Sequence, residues 1–191
     1  MKYLTTLSLL LLGLSFTHGQ NPKHEIAQTL DAYFALVEQQ NVAEMLDHVH
    51  PKLIGMVGKA LFEQQYDQMF NDPNVAVWLM DFSQDSISAV YEHASGNYAL
   101  VQYSFKLRMT VKTQAESPES GKAMLSMYQR QYGKENVVEE AAGSYLISAS
   151  REMFACQEPE FEGWKILDYE PGMKIMLSQF IAADVFEHFN K

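Results

Sequence analysis

A chain of 191 residues with 47% hydrophobic content is long and apolar enough for one domain with a substantial core. Its formal charge of -10, without any cluster of Lys and Arg, argues against nucleic acid and against docking on anionic lipid. The one cysteine, Cys156, rules out an intramolecular disulfide, so stability must come from burial, and Cys156 itself reads as a small buried apolar residue.

The N-terminus carries one cation, Lys2, then an apolar run from Leu7 to Phe16, then Thr17-His18-Gly19-Gln20. This is the pattern of a secretory signal peptide, too short to span a bilayer stably, with cleavage expected after Gly19. The expectation is an exported protein, periplasmic or extracellular, whose residues 20–191 form a single domain off the membrane. No Asn-x-Ser/Thr sequon follows.

Asn21-Pro22 opens a helix over about 22–39, with Ile26, Leu30, Tyr33, Phe34 and Val37 on one face. Asn41 and Glu44 resemble a capping box for a short second helix, which Pro51 is expected to end. At its end stand Asp47-His48-Val49-His50. Two histidines two residues apart on a helix point about 200° apart, so they do not chelate one metal, and they read as solvent-facing helix-terminus residues. No metal or cofactor is expected. A third helix runs from about Lys59 to Asn71.

From Asn74 the period becomes two. Asn74–Phe82 and Ser86–Glu92 read as two strands, with a hairpin turn at Ala94-Ser95-Gly96-Asn97. The next strand is the most regular: Val101, Tyr103, Phe105, Leu107, Met109 and Val111 alternate with polar residues, among them Lys106, Arg108 and Lys112, which read as a solvated face. After the polar loop at 114–120 comes a helix over about 118–132. Strands follow at about 137–140, 144–156 and 164–169, and one last helix at about 173–189.

Helices first and a run of long antiparallel strands afterwards make an α+β fold in which a curved sheet wraps a helical layer. The segments 47-DHVHPKLIGMVGKALFEQQYDQMFNDP-73, 132-YGKENV-137 and 164-WKILDYEPG-172 resemble exported NTF2-like (cystatin-like cone) proteins of unassigned function from Bacteroidetes-type bacteria. The resemblance implies N-terminal helices packed on a mostly antiparallel sheet, with the helix at 118–132 as an insertion and a C-terminal helix beyond. It leaves function open, because this fold hosts enzymes, binding modules and assembly domains.

Three readings follow. A small-molecule isomerase or cyclase, as the superfamily's enzymes imply, needs a carboxylate and tyrosines inside the cone; the candidates are Asp31, Asp81 and Glu152 with Tyr33, Tyr91, Tyr103 and Tyr145. A binding module for a small apolar ligand needs a lined pocket, for which the candidates are Tyr33, Trp78, Met80, Tyr91, Tyr103, Phe105 and Tyr145. A protein-interaction module, with a sheet-to-sheet homodimer as one form, predicts a filled cone and a large exposed apolar patch. The pairs Met124/Met127 and Met173/Met176 have a spacing that suits Cu(I) thioether ligation, but read as core filling. Binding is favoured over catalysis.

Overall fold

The computed structural model describes residues 21–111 and 118–191. The signal-peptide expectation for residues 1–19, and the roles given to Lys112 and to most of the loop before residue 118, lie outside the described residues. Within them the chain is α+β: seven helices and a curled antiparallel sheet forming a half-barrel. No helix among them is long and apolar enough to cross a membrane.

The first helix, α1 (Pro22–Glu38), starts as expected. The Asn21 side chain accepts the Lys23 N–H, and Pro22 occupies the first turn, where its missing N–H costs nothing. Its stripe of Ile26, Leu30, Tyr33, Phe34 and Val37 is buried, each such side chain contributing roughly 1.5–3 kcal/mol. Then come α2 (Val42–His48), α3 (Pro51–Val57) and α4 (Lys59–Phe70). Pro51 does more than end α2: it opens α3 at the first-turn position, a helix the sequence reading lacked.

The strands are β1 (Val75–Ile87), β2 (Tyr91–His93), β3 (Gly96–Val111), β4 (Val137–Ala141), β5 (Ser144–Gln157) and β6 (Lys165–Tyr169), with α5 (Pro118–Tyr132) between β3 and β4. The order β1-β3-β5-β4 forms the main path, with β2 on β3 and β6 on β5. The two strands expected over 74–92 are instead one long β1 and a short β2. β1 carries register shifts at Met80/Ser83 and Gln84/Ser86, and Asp81 sits at φ 55°. Extra residues in one strand bend it locally, and here the bend lets Phe82 stack on Phe34 at 4.7 Å.

One face of β3 and β5 meets α1 through Ala99, Val101, Tyr103, Met153 and Ala155. The opposite face, through Tyr98, Phe154 and Cys156, is covered by α6 (Lys174–Leu177) and α7 (Ala183–His188). The single C-terminal helix expected over 173–189 is therefore two short ones. The Ser178 hydroxyl donates to the Lys174 carbonyl as α6 ends, and Ala182 is extended at φ -64°, ψ 147°. That break lets Leu177, Ile181, Val185 and Phe186 all bury against the sheet. A third cluster sits under α5, around Tyr128, Val137, Tyr145 and Ile147.

Helices of seven residues are marginal alone, so α2 and α3 depend on their attachments. The main one is His50, which is fully buried rather than solvent-facing. Its backbone N–H donates to the Ile166 carbonyl of β6 at 2.9 Å, beside a parallel bridge between Val49 and Ile166. Its Nδ1 accepts the Lys52 N–H as the cap of α3 at 3.2 Å, which leaves the ring proton on Nε2 to donate to Glu158 Oε1 at 3.2 Å. Glu158, 3% exposed, also accepts the Tyr98 hydroxyl at 2.9 Å and the Lys52 ammonium at 2.8 Å. Burial alone would raise the Glu158 carboxyl, but the bonds from Lys52, Tyr98 and His50 outweigh it and hold the group below the ordinary carboxylate value. Burial likewise holds the His50 imidazole below its ordinary value, against the opposing pull of Glu158.

Both groups make the fold acid-sensitive. With a folded value below the unfolded one near 6.5, His50 contributes its full stability above that pH. The contribution is lost as pH falls, because the unfolded chain takes the proton first. Glu158 adds a second loss in the carboxylate range, for the same reason of sign. The His50 contribution to the urea-unfolding free energy is therefore expected to decline from about pH 6.5 downward, while Asp168 of β6, whose carboxyl is held above its ordinary value, acts in the opposite sense as pH falls toward the carboxylate range. In His50→Gln the slope between pH 7 and 5 should become shallower. His48, shifted in the same direction by burial and Lys165, keeps part of it. An unchanged slope in the variant would show that His50 is not the group responsible.

Candidate functional site

A cavity of about 380 Å³ opens between the N-terminal helices and the end of β6. One side is made by Leu46, Val49, Leu53, Val57, Phe62 and Tyr66 from α2 to α4. The other is made by Ile166, Asp168 and Tyr169 of β6, with Met173 and Met176 beyond them. Tyr33 of α1 and Tyr103 of β3 complete it, and Arg151, Glu152 and Glu170 also line it. The volume lies within the few hundred Å³ usual for small-molecule sites, and the wall is mostly apolar.

Strand register explains how its polar groups meet. Met153 of β5 pairs with Asp168 of β6 and with Val101 of β3, so these three side chains share the face turned to α1. Tyr103 lies two residues along β3 on the same face, and its hydroxyl donates to Asp168 Oδ1 at 3.1 Å. Tyr33 and Tyr66 line the same cavity close by. The Arg151 guanidinium is engaged by Glu170 at 3.3 Å.

Asp168 is solvent-exposed on the side that opens to the cavity, while protein crowds it on its other sides. Burial raises its carboxyl above the ordinary range, with Tyr103 pulling in the opposite direction. The neighbouring phenols are all raised. Burial and then the Asp168 charge push Tyr66 up to about 12. The same two causes, in the same order, raise Tyr33 and Tyr103 well above the ordinary phenol value. At neutral pH the tyrosines are therefore hydroxyl donors and acceptors, and Asp168 is the group whose protonation state is tuned.

Of the seven pocket residues expected from sequence, Tyr33 and Tyr103 line this cavity. The other five lie elsewhere. Phe105 shares their face of the sheet but is occupied by stacking on Phe82 at 5.2 Å. Tyr145 sits under α5 and donates to the Gly121 carbonyl. Tyr91 stacks on His188 at 4.0 Å. Trp78 points to the opposite face, where Trp78, Arg108, Leu146 and Val138 form one row across β1, β3, β5 and β4; Trp78 is 44% and Val138 56% exposed. Met80, two residues along β1, pairs with Lys106 on that same face.

The candidate carboxylates fare similarly. Asp31 accepts from the Gln84 side chain and Asp81 pairs with Lys106, both away from the cavity; Glu152 lines it but pairs with Lys191 at 2.7 Å. Asp168 was not among them. Its signal was there to read: in Ile166-Leu167-Asp168-Tyr169 it takes the position that alternation would give to a second apolar residue beside Ile166. The cations Lys106 and Arg108 are each paired, with Asp81 and Glu140. Cys156 is buried. Met173 and Met176 line the cavity, whereas Met124 of α5 packs against the cluster around Tyr145 and Ile147, and Met127 is 40% exposed. Among the described residues no group of three or more His, Cys, Asp or Glu side chains is placed to hold a metal ion. In comparisons with known proteins, no family model and no curated protein matches the chain.

The Tyr103–Asp168 bond can be tested on its own. Removing the hydroxyl in Tyr103→Phe takes away the donor that lowers the Asp168 carboxyl, so Asp168 should titrate at a still higher pH. Carbon-detected NMR titration of the Asp168 carboxyl checks this. A downward or absent shift would mean that the bond does not form in solution.

Proposed function

We propose that the chain is an exported NTF2-like domain that binds a small, largely apolar molecule inside its cone. The observation that carries the reading is the cavity itself: a mostly apolar wall in which Asp168, hydrogen-bonded to Tyr103, stands with Tyr33 and Tyr66. Binding sites combine an apolar body with a few placed polar groups in this manner. A filled cone would have favoured a protein-interaction role. Export is supported by the N-terminal charge and hydropathy pattern, and the NTF2-like assignment by the order of helices and strands together with the cone-like sheet.

The test is a neutral apolar fluorophore, N-phenyl-1-naphthylamine, titrated into the purified protein. One saturable site per chain is expected. Val57→Trp, which places an indole into the cavity from the end of α3, should weaken binding at least ten-fold while leaving the thermal transition nearly in place. Equal binding by the variant would place the fluorophore elsewhere and remove the support for this reading.

Asp168 favours a second reading. A raised carboxylate bonded to a tyrosine and facing an apolar cavity has the attributes of a general base acting on a carbonyl compound, as in the superfamily's isomerases. Its signature is exchange of the α-hydrogens of a small ketone such as cyclohexanone with deuterated solvent, faster than buffer and lost in Asp168→Asn. Exchange at the buffer rate leaves binding as the function.

A further inference from the structure

Among the described residues, the carboxylates Glu158, which is buried, and Asp168, which is exposed to the cavity, are treated differently. Glu158 is met by three donors, Lys52, Tyr98 and His50, and is held ionised. Asp168 receives one, the Tyr103 hydroxyl on Oδ1, and no other hydrogen bond or ion pair reaches it among the described residues. Arg151 also lines the cavity and its charge lowers the Asp168 carboxyl, but its ion-pair contact is with Glu170 at 3.3 Å. Oδ2 of Asp168 therefore has no protein partner among the described residues, and because the side chain is exposed to the cavity, an occupant that takes the place of solvent there must itself compensate the carboxylate.

The chemistry around that oxygen selects what can compensate it. The aromatic rings of Tyr33, Tyr66 and Tyr103 line the same cavity, and their faces attract cations. Glu152 and Glu170 line it as well but are ion-paired with Lys191 and Arg151, which leaves Asp168 as the lining carboxylate without an ion-pair partner among the described residues, in a chain that carries -10 as a whole. A neutral apolar molecule would fill the wall but leave Oδ2 unpaired. A hydroxyl would supply one hydrogen bond and no charge.

We propose that the occupant of the cavity is an apolar molecule carrying a protonated amine, with its ammonium nitrogen seated on Asp168 among the three tyrosines. This rests on the reading of the cavity as a binding site and adds the ligand's charge. The arrangement supplies both halves of ammonium recognition, a carboxylate acceptor and aromatic faces, within an apolar enclosure for the rest of the molecule.

Three probes on one frame test it: 3-phenylpropylamine, 3-phenylpropan-1-ol and 3-phenylpropanoate, each competing with N-phenyl-1-naphthylamine at pH 7.5. The amine is expected to compete at least ten-fold more tightly than the alcohol, with the carboxylate weakest. Asp168→Asn should bring the amine to the level of the alcohol, and Asp168→Glu should keep the preference. Should Asp168→Asn fail to fold, the wild-type ranking still decides. An alcohol equal to or better than the amine overturns the charge assignment while leaving the cavity as a binding site. A fluorophore that binds wild type and Val57→Trp alike, with no competition from any probe, overturns both.

Discussion

The site exists because β3 and β5 pair without interruption from Asn97↔Gln157 to Thr110↔Ser144. In a sheet covered on both faces, each step along a strand sends the next side chain to the other side. That single register puts Tyr103 and Met153 on the α1 face and Tyr98 and Phe154 on the face covered by the C-terminal helices. β6 inherits it through Met153↔Asp168. A slip of one residue between β5 and β6 would turn Asp168 away from Tyr103 and bring Leu167 or Tyr169 into its place. The register is protected because such a slip would also expose Leu167, which is fully buried.

Glu158 performs a second positioning task, on the wall opposite the sheet. It lies just beyond β5 and draws together Tyr98 of β3 with His50 and Lys52 at the start of α3. The loop that leads into α3 is thereby fixed to the sheet by a side-chain network as well as by the backbone bond from His50 to Ile166. Leu53 and Val57, which face the cavity, follow from that anchor at one and two helical turns. Removing a donor from the buried Glu158 carboxylate leaves it under-bonded at a cost of about 1–3 kcal/mol, so the wall depends on this network more than on the helix propensity of seven residues.

Much of the fold was legible in periodicity, and the reasons for the exceptions are specific. The α1 stripe and the alternation of β3 are long enough for local pattern to decide. His50 failed that test because its neighbours read as a helix end. What buries it is a carboxylate 108 residues away, a contact that no local window contains. The C-terminal break after α6 has no Gly or Pro to announce it and follows from the sheet surface it covers. Aromatic residues on strands read as pocket lining, but an aromatic side chain also fills a core, and Phe105, Tyr91 and Tyr145 are each already occupied by a neighbouring ring. The more informative signal was the polar residue in an apolar position, Asp168.

That signal has a physical basis that extends beyond this chain's fold. A strand residue that only had to pack beside Ile166 would be apolar, because burying a carboxylate costs more than a methyl group gains. Glu158 shows how the same protein meets that cost where a carboxylate serves structure: three donors, an apolar ring on either side of His50 from Phe161 and Phe180, and little exposure. At Asp168 the Tyr103 hydroxyl is the one donor among the described residues, and the side chain is exposed to open space where Glu158 has further partners. The cavity and the under-satisfied carboxylate are thus parts of one arrangement, since filling the space with protein would have required a partner for the charge. A molecule that enters can supply that partner, and it gains from the carboxylate only to the degree that it brings a donor or a positive charge with it.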